Sequence, residues 1–507
     1  MSETVNNSLE KIAKGSTIIL IGTMVSLLLG FIGRLILIRF TTQYDFGIYC
    51  LALTLVSILT TISTMGLGEG STRYIAYLKG KSKNKLIPNA IISSIVITLS
   101  SSALIFIIAF FFSDFIATNI FHSSELSNII NIFLITIPFT AFSGIIISIF
   151  RSFDQFTIKV YFNDIMKPII HIIFLGIVVF FARSLSGMAS AYLMSIIIPS
   201  IIISIYFLKK HKLFGVEDFQ FIDKSMIKEL LTFSIPLLAV SIILTLMSWT
   251  DTLMLGYFKT AKDVGIYNSA VPLANLLTII IGSLSFVYVP VMSQLYGKNQ
   301  IRELGRSYVV STKWCFIGTL PLFFILFVFP DFILNLFFGP RYISASIVLQ
   351  ILSLEFIINS YFGLNYYTLM TVGKSKFLMN CSLVGAVMNI LLNIILIPIW
   401  GVAGAAIAST LSFVFIEILM SIKLYTILKI HPFTTTYLKL TILSIILISI
   451  FSTINDHTVA SFWTFLVISF TFMLTFVLSL LFAHILDDED VIITSLIKKK
   501  LGFNFFR

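Results

Sequence analysis

STIILIGTMVSLLLGFIGRLILIRF, residues 16–40, is the stretch that decides the fold. It is almost wholly apolar, and its only charges are Arg34 and Arg39. A membrane-spanning helix needs about 20 such residues. Lys11 and Lys14 precede the run, which is too long for a signal peptide and has no small-residue cleavage site after it. It reads as a retained first span. The pattern then recurs along the chain. Five more spans are expected at 46–69, 87–111, 127–150, 158–182 and 186–208. After a polar stretch, 209–229, six follow at 230–256, 264–292, 308–330, 343–370, 376–399 and 401–428. Two more, 435–455 and 459–485, precede a charged tail, 486–507. The expected fold is an all-α polytopic membrane protein of about fourteen transmembrane helices.

Composition agrees. Of the 507 residues, 58% are hydrophobic, 14% aromatic and only 11% charged; the mean hydropathy is +1.02. Soluble domains are about one quarter charged. A soluble enzyme, a nucleic-acid binder and a disordered chain are therefore excluded. The net charge of +11 follows from topology instead. With the N-terminus on the cytoplasmic side, fourteen spans put 27 of the 34 Lys and Arg residues in or beside cytoplasmic segments. That is the bias the positive-inside rule demands. Both termini are expected to be cytoplasmic and the location a cell membrane. Cys50, Cys315 and Cys381 are far apart, as buried thiols would be, and the six histidines show no metal spacing. No nucleic acid, metal or cofactor is expected.

A repeat divides the chain. Asp45-Phe46-Gly47-Ile48-Tyr49 opens the second span, and Asp263-Val264-Gly265-Ile266-Tyr267 opens the eighth. An Asp at this place caps the helix and suits its positive end. A second echo joins Ser186-Gly187-Met188-Ala189-Ser190-Ala191 to Trp400-Gly401-Val402-Ala403-Gly404-Ala405. Small residues there let helices approach closely. Six spans per half is an even number, so the repeat is parallel. The expected domains are an N-terminal lobe (1–208), an interfacial linker (209–229), a C-terminal lobe (230–428), two extra helices (429–485) and the cytoplasmic tail (486–507).

Several motifs resemble one family over essentially the whole chain. They are Lys14-Gly15-Ser16 with Gly30 and Arg34, the Asp45–Tyr49 segment, Gly66-Leu67-Gly68, Arg73-Tyr74-Ile75-Ala76, Asp251-Thr252-Leu253-Met254-Leu255-Gly256, Val264-Gly265-Ile266-Tyr267 and Gly401-Val402-Ala403-Gly404-Ala405-Ala406. The chain resembles the prokaryotic polysaccharide-synthesis flippases of the multidrug/oligosaccharidyl-lipid/polysaccharide exporter superfamily. The resemblance implies two six-helix lobes forming a V-shaped central cavity. It also implies movement of a lipid-linked sugar from the inner to the outer leaflet. The expected substrate is a polyprenyl (pyro)phosphate-linked sugar, with membrane lipid around it and glycosyltransferases and a polymerase of the same pathway as partners.

Ionisable groups inside spans cost about 2.5–3.5 kcal/mol each on insertion scales, so they line cavities or pair. Arg34 and Lys167 are candidates for gripping a phosphate, whose oxygens suit the guanidinium fork. Snorkelling to headgroups is the other reading of Arg34, and the preferred one for Arg39. Glu69 and Arg73 sit where the second span meets the cytoplasm. Asp164, Lys167 and His171 are spaced i, i+3 and i+7 on one helix face. They form either a polar stripe or an Asp164–Lys167 pair neutralising itself. Pro168 should loosen that helix. Asp251 and Glu355 could each carry a coupling ion or cap a helix end, and Glu417 could pair with a neighbour. No G-x-x-x-x-G-K-[ST] phosphate loop is present, so no ATP engine and no enzyme is expected. Two other readings are a drug or metabolite antiporter of the multidrug and toxin extrusion type and a membrane glycosyltransferase or polymerase. Acidic groups should dominate the cavity of the first. The second needs a large outward loop with catalytic acids, whereas 112–126 holds only Asp114 and Glu125.

Overall fold

The computed structural model describes residues 3–153, 155–210, 224–456 and 461–482. Most of the expected linker, residues 457–460 and the expected tail region lie outside them. The described residues form helices and no strand: α1 (Glu3–Phe40), α2 (Gln43–Ser63), α3 (Leu67–Gly80), α4 (Ile87–Phe115), α5 (Ser124–Leu134), α6 (Thr136–Ser152), a single turn α7 (Thr157–Lys159), α8 (Lys167–Phe181), α9 (Leu185–Lys210) and α10 (Lys224–Phe258). Then come α11 (Ala261–Ala274), α12 (Thr278–Gly297), α13 (Ile301–Val328), α14 (Pro330–Phe338), α15 (Ser346–Phe362), α16 (Asn365–Thr371), α17 (Ser375–Leu428), α18 (Thr435–Asp456) and α19 (Phe462–Phe482). This is the expected class. A bilayer offers backbone amides no water, and helices satisfy them internally.

Thirteen segments among the described residues are long and apolar enough to cross a membrane. One of them, α17, has 54 residues, about 80 Å at 1.5 Å per residue. That is more than twice a hydrocarbon core of roughly 30 Å. Its rod is broken at Gly401, where φ is 57° and ψ −129°, a conformation essentially reserved for glycine. Split there, the thirteen segments become the fourteen expected spans. The expected span 343–370 is interrupted at Gly363, which ends α15 before α16 begins.

The chain forms two compact units, Met1–Asn268 and Ser269–Arg507. In the first, the two Asp-x-Gly-Ile-Tyr segments meet face to face. A Cβ on Gly47 would lie 1.6 Å from the Ala261 carbonyl oxygen, and one on Gly265 would lie 1.9 Å from that of Gln43. The contact is reciprocal, as a repeat packing on itself requires, and only glycine permits it. Further along, Thr61 and Thr245 hydroxyls lie 3.2 Å apart, and Tyr74 Oη donates to Glu229 at 2.6 Å. These tie α10 to α2 and α3. In the second unit, the two extra helices dock on α13 through rings. Phe324 stacks on Phe472 at 3.6 Å, and Phe316 meets Tyr437 edge-on at 5.8 Å.

Candidate functional site

The site grows from the proline in the fifth span. Pro168 has no N–H to offer and crowds the carbonyl four residues back. The helix answers by widening into a π-turned segment over Val160–Met166 before α8 resumes. Such turns gather at functional sites, and this one changes the register of the residues around it. Asp164 is buried, with Lys159 Nζ 3.8 Å from its Oδ2 and Asn163 Nδ2 donating to Oδ1 at 3.2 Å. Its cation is thus Lys159, not Lys167.

Lys167 and His171 point instead at one ring. Lys167 Nζ lies 5.5 Å from the centroid of Tyr192 on α9, and the His171 ring meets Tyr192 edge-on at 5.6 Å. His171 packs against Gly33 of α1, and its buried Nε2 has no hydrogen-bond partner among the described residues. Tyr192 continues into Phe133 at 5.2 Å and Tyr49 at 6.4 Å. Arg34, half-buried nearly two turns from its helix end, follows Gly33 on α1. Lys167 thus lies over one ring of an aromatic cluster built from α2, α5 and α9. Neither Lys167 nor Arg34 forms an ion pair among the described residues.

Beside Lys167 opens a cavity of about 280 Å³ between α6, the π-turned segment and α9. Arg151, Lys159 and Lys167 line it, with Asn163 and the hydroxyls of Thr140, Ser143, Ser148, Ser195 and Ser200. No Asp or Glu lines it. Arg151 also donates to Glu69 of α3 at 2.5 Å, in a pair exposed enough to be weak. Arg73, one turn on, is exposed. The hydroxyls of Ser143, Ser148, Ser195 and Ser200 donate to backbone carbonyls and Asn163 donates to Asp164, so it is the cations that suit this cavity to an oxyanion.

Asp251 sits elsewhere in the first unit, on α10, where Tyr267 Oη donates to its Oδ2 at 2.5 Å. In the second copy of the repeat, the closing tyrosine thus reaches an ionisable residue of the preceding span. Glu355 is buried in α15 of the second unit. Glu417, also buried, accepts from Asn359 Nδ2 at 3.2 Å and Asn365 Nδ2 at 3.4 Å. No metal-binding cluster of His, Cys, Asp or Glu occurs among the described residues. Sequence reasoning missed Tyr192, Arg151 and Lys159. Tyr49 had a signal, since it closes the repeated motif.

The family model of a polysaccharide biosynthesis protein matches residues 12–296, more than half of the chain. The chain belongs to that family. A MatE family model matches residues 236–395. An uncharacterized membrane protein of Methanocaldococcus jannaschii is 24% identical, over 95% of this chain and 98% of its own. The probable low-salt glycan biosynthesis flippase Agl15 of Haloferax volcanii is 30% identical over a third of each chain. The fold is that of the lipid II flippase MurJ in its inward closed conformation, with a TM-score of 0.72, 17% identity and coverage of 92% and 98%. It is also that of a multidrug resistance MATE transporter of the MOP superfamily in its inward-facing conformation, with a TM-score of 0.68, 15% identity and coverage of 80% and 94%. Membership of the polysaccharide biosynthesis family and this fold make the chain a multi-pass membrane protein of the transporter type.

Proposed function

We propose that this member of the polysaccharide biosynthesis family is a flippase without covalent catalysis. It carries a polyprenyl (pyro)phosphate-linked oligosaccharide or repeat unit from the inner to the outer leaflet of the cell membrane. The observation that carries the reading is a cavity that no Asp or Glu lines, in which Lys167 stands without an ion pair among the described residues while Arg151 and Lys159 beside it are paired. An anionic headgroup is the ligand such a site favours. Lys167 and Arg34 would hold phosphate oxygens. Tyr192 would offer a face to a sugar ring. Glu69, Asp164 and Arg73 would set the charge balance around Arg151 and Lys159. The saccharide would cross in water while the polyprenyl tail stays in lipid.

The two six-span halves would rock about the substrate, with both termini cytoplasmic, as the distribution of basic residues favours. Asp251, Glu355 and His171 are the candidates for a coupling ion, since the chain has no ATP-binding motif. Glycosyltransferases and a polymerase of the same pathway would load and consume the substrate. The MatE match supports the antiporter as a second reading, in which the acidic residues would take a cationic drug. The test is reconstitution in liposomes with a fluorescent lipid-linked saccharide. Lys167→Glu and Arg34→Glu should each reduce translocation at least ten-fold at unchanged protein yield. Unchanged translocation, or cation efflux in its place, would overturn the flippase reading.

A further inference from the structure

A second basic site lies far from this cavity in sequence. In the second unit, an open groove of about 610 Å³ is bounded by the start of α13 and by the turn that joins α17 to α18. Arg302 and Arg306 enter it from α13, and Lys429 and His431 from the turn. No acidic residue lines it. Arg302, Lys429 and His431 form no ion pair among the described residues. The turn is held on α13 by close packing, since a Cβ on Gly305 would lie 2.8 Å from Ile430 Cγ2. Lys429 ends α17 with φ of 58°, an uncommon conformation for a side chain of its size.

Two further features point to the ligand. The N-terminus of α13, 28 residues long, opens at the groove, and Gln300 gives it no side-chain cap. Its first N–H groups remain available to an anion. The groove also lies where three membrane-spanning segments end, at Ile301, Leu428 and Thr435. Exposed aromatics stand beside it. Lys429 Nζ lies 5.3 Å over the Tyr425 ring, which the His431 ring meets at 5.9 Å, and Phe433 is exposed. Aromatic residues of this kind mark the depth of lipid headgroups.

We propose that this groove binds the phosphate of an anionic phospholipid headgroup, with the acyl chains in the adjoining bilayer. Basic pockets between spanning helices bind lipid headgroups in this way. The bound lipid would fasten the α17–α18 turn onto α13. Its residues are not those proposed to hold the transported substrate, and its test does not read transport.

Purified full-length protein in detergent is titrated with phosphatidylglycerol, with phosphatidylcholine and with inorganic phosphate, following thermal unfolding. Phosphatidylglycerol should raise the melting temperature saturably, and the other two should not. The Arg302→Gln/Lys429→Gln variant should melt like the parent in phosphatidylcholine but bind phosphatidylglycerol about thirty-fold more weakly. If that variant does not fold, Lys429→Gln alone, an exposed side chain beyond the helix end, should lose about five-fold. Equal stabilisation of parent and variant, or none in the parent, overturns the proposal. Stabilisation by inorganic phosphate alone overturns the lipid as the occupant.

Discussion

Gly47→Ala would test whether the two repeat motifs are clamped on each other. The added methyl would stand 1.6 Å from the Ala261 carbonyl oxygen and 3.0 Å from Gly265 N. A comfortable separation is about 3.5 Å, so α2 and α11 must part locally by roughly 2 Å. The atoms in the way are backbone and cannot rotate aside. Overpacking of this kind costs typically 1–3 kcal/mol; the rigid obstacle puts it near the top, about 3 kcal/mol. That equals about two decades in an equilibrium constant. In a unit of this size, the melting temperature should fall by roughly 6 °C or more. Gly265→Ala should behave alike, because its methyl would meet the Gln43 carbonyl oxygen at 1.9 Å. The double variant should cost less than the sum, since one separation relieves both clashes. Gly30→Ala is the control. Nothing lies within 4 Å of its added methyl, and alanine is worth about 1 kcal/mol over glycine inside a helix. The assay is the thermal melt of detergent-purified protein. A Gly47→Ala melt matching Gly30→Ala within a degree would refute the clamp.

Two other predictions follow from contacts within single units. Tyr74→Phe removes the 2.6 Å hydrogen bond to Glu229, an exposed carboxylate, and should weaken the α3–α10 contact by about 1 kcal/mol. Hydrogen exchange should quicken at the start of α10; protection equal to the parent's would show that the bond holds nothing. Gly401→Ala puts a side chain at φ 57°, ψ −129° and should destabilise the second unit by about 1–3 kcal/mol. A melt unchanged by this substitution would mean that the break in α17 is not what glycine is there to provide.

The number of spans was legible because apolar length is a property of sequence alone. So was the division of the long α17, since Trp400-Gly401 marks the place where one apolar run becomes two. Pro168 announced a disturbed helix, and the disturbance is there. Its consequence was not legible. The i, i+3, i+7 spacing assumes a regular helix, and the π turns at Val160–Met166 break that assumption. Asp164 consequently meets Lys159, while Lys167 meets Tyr192 on another helix. The cavity itself was hidden for a related reason. Arg151 lies at the end of α6, and the serines that share its cavity are scattered over α6 and α9. Only packing brings them to one space. Likewise, nothing in the first copy of the repeat says that its tyrosine joins an aromatic cluster, or in the second that it bonds an aspartate.

That difference carries the last step. Tyr49 closes the first Asp-x-Gly-Ile-Tyr among the rings of Phe133 and Tyr192, whereas Tyr267 closes the second on the Asp251 carboxylate. A purely structural role would favour neutral residues within the spans, because a charge there costs about 2.5–3.5 kcal/mol on insertion scales. Neighbouring charges here are offset: Arg151 by Glu69 and Lys159 by Asp164. Lys167 has the face of Tyr192, worth about 0.5–2 kcal/mol, which leaves part of its cost uncompensated. An anion entering the cavity would supply the missing stabilisation.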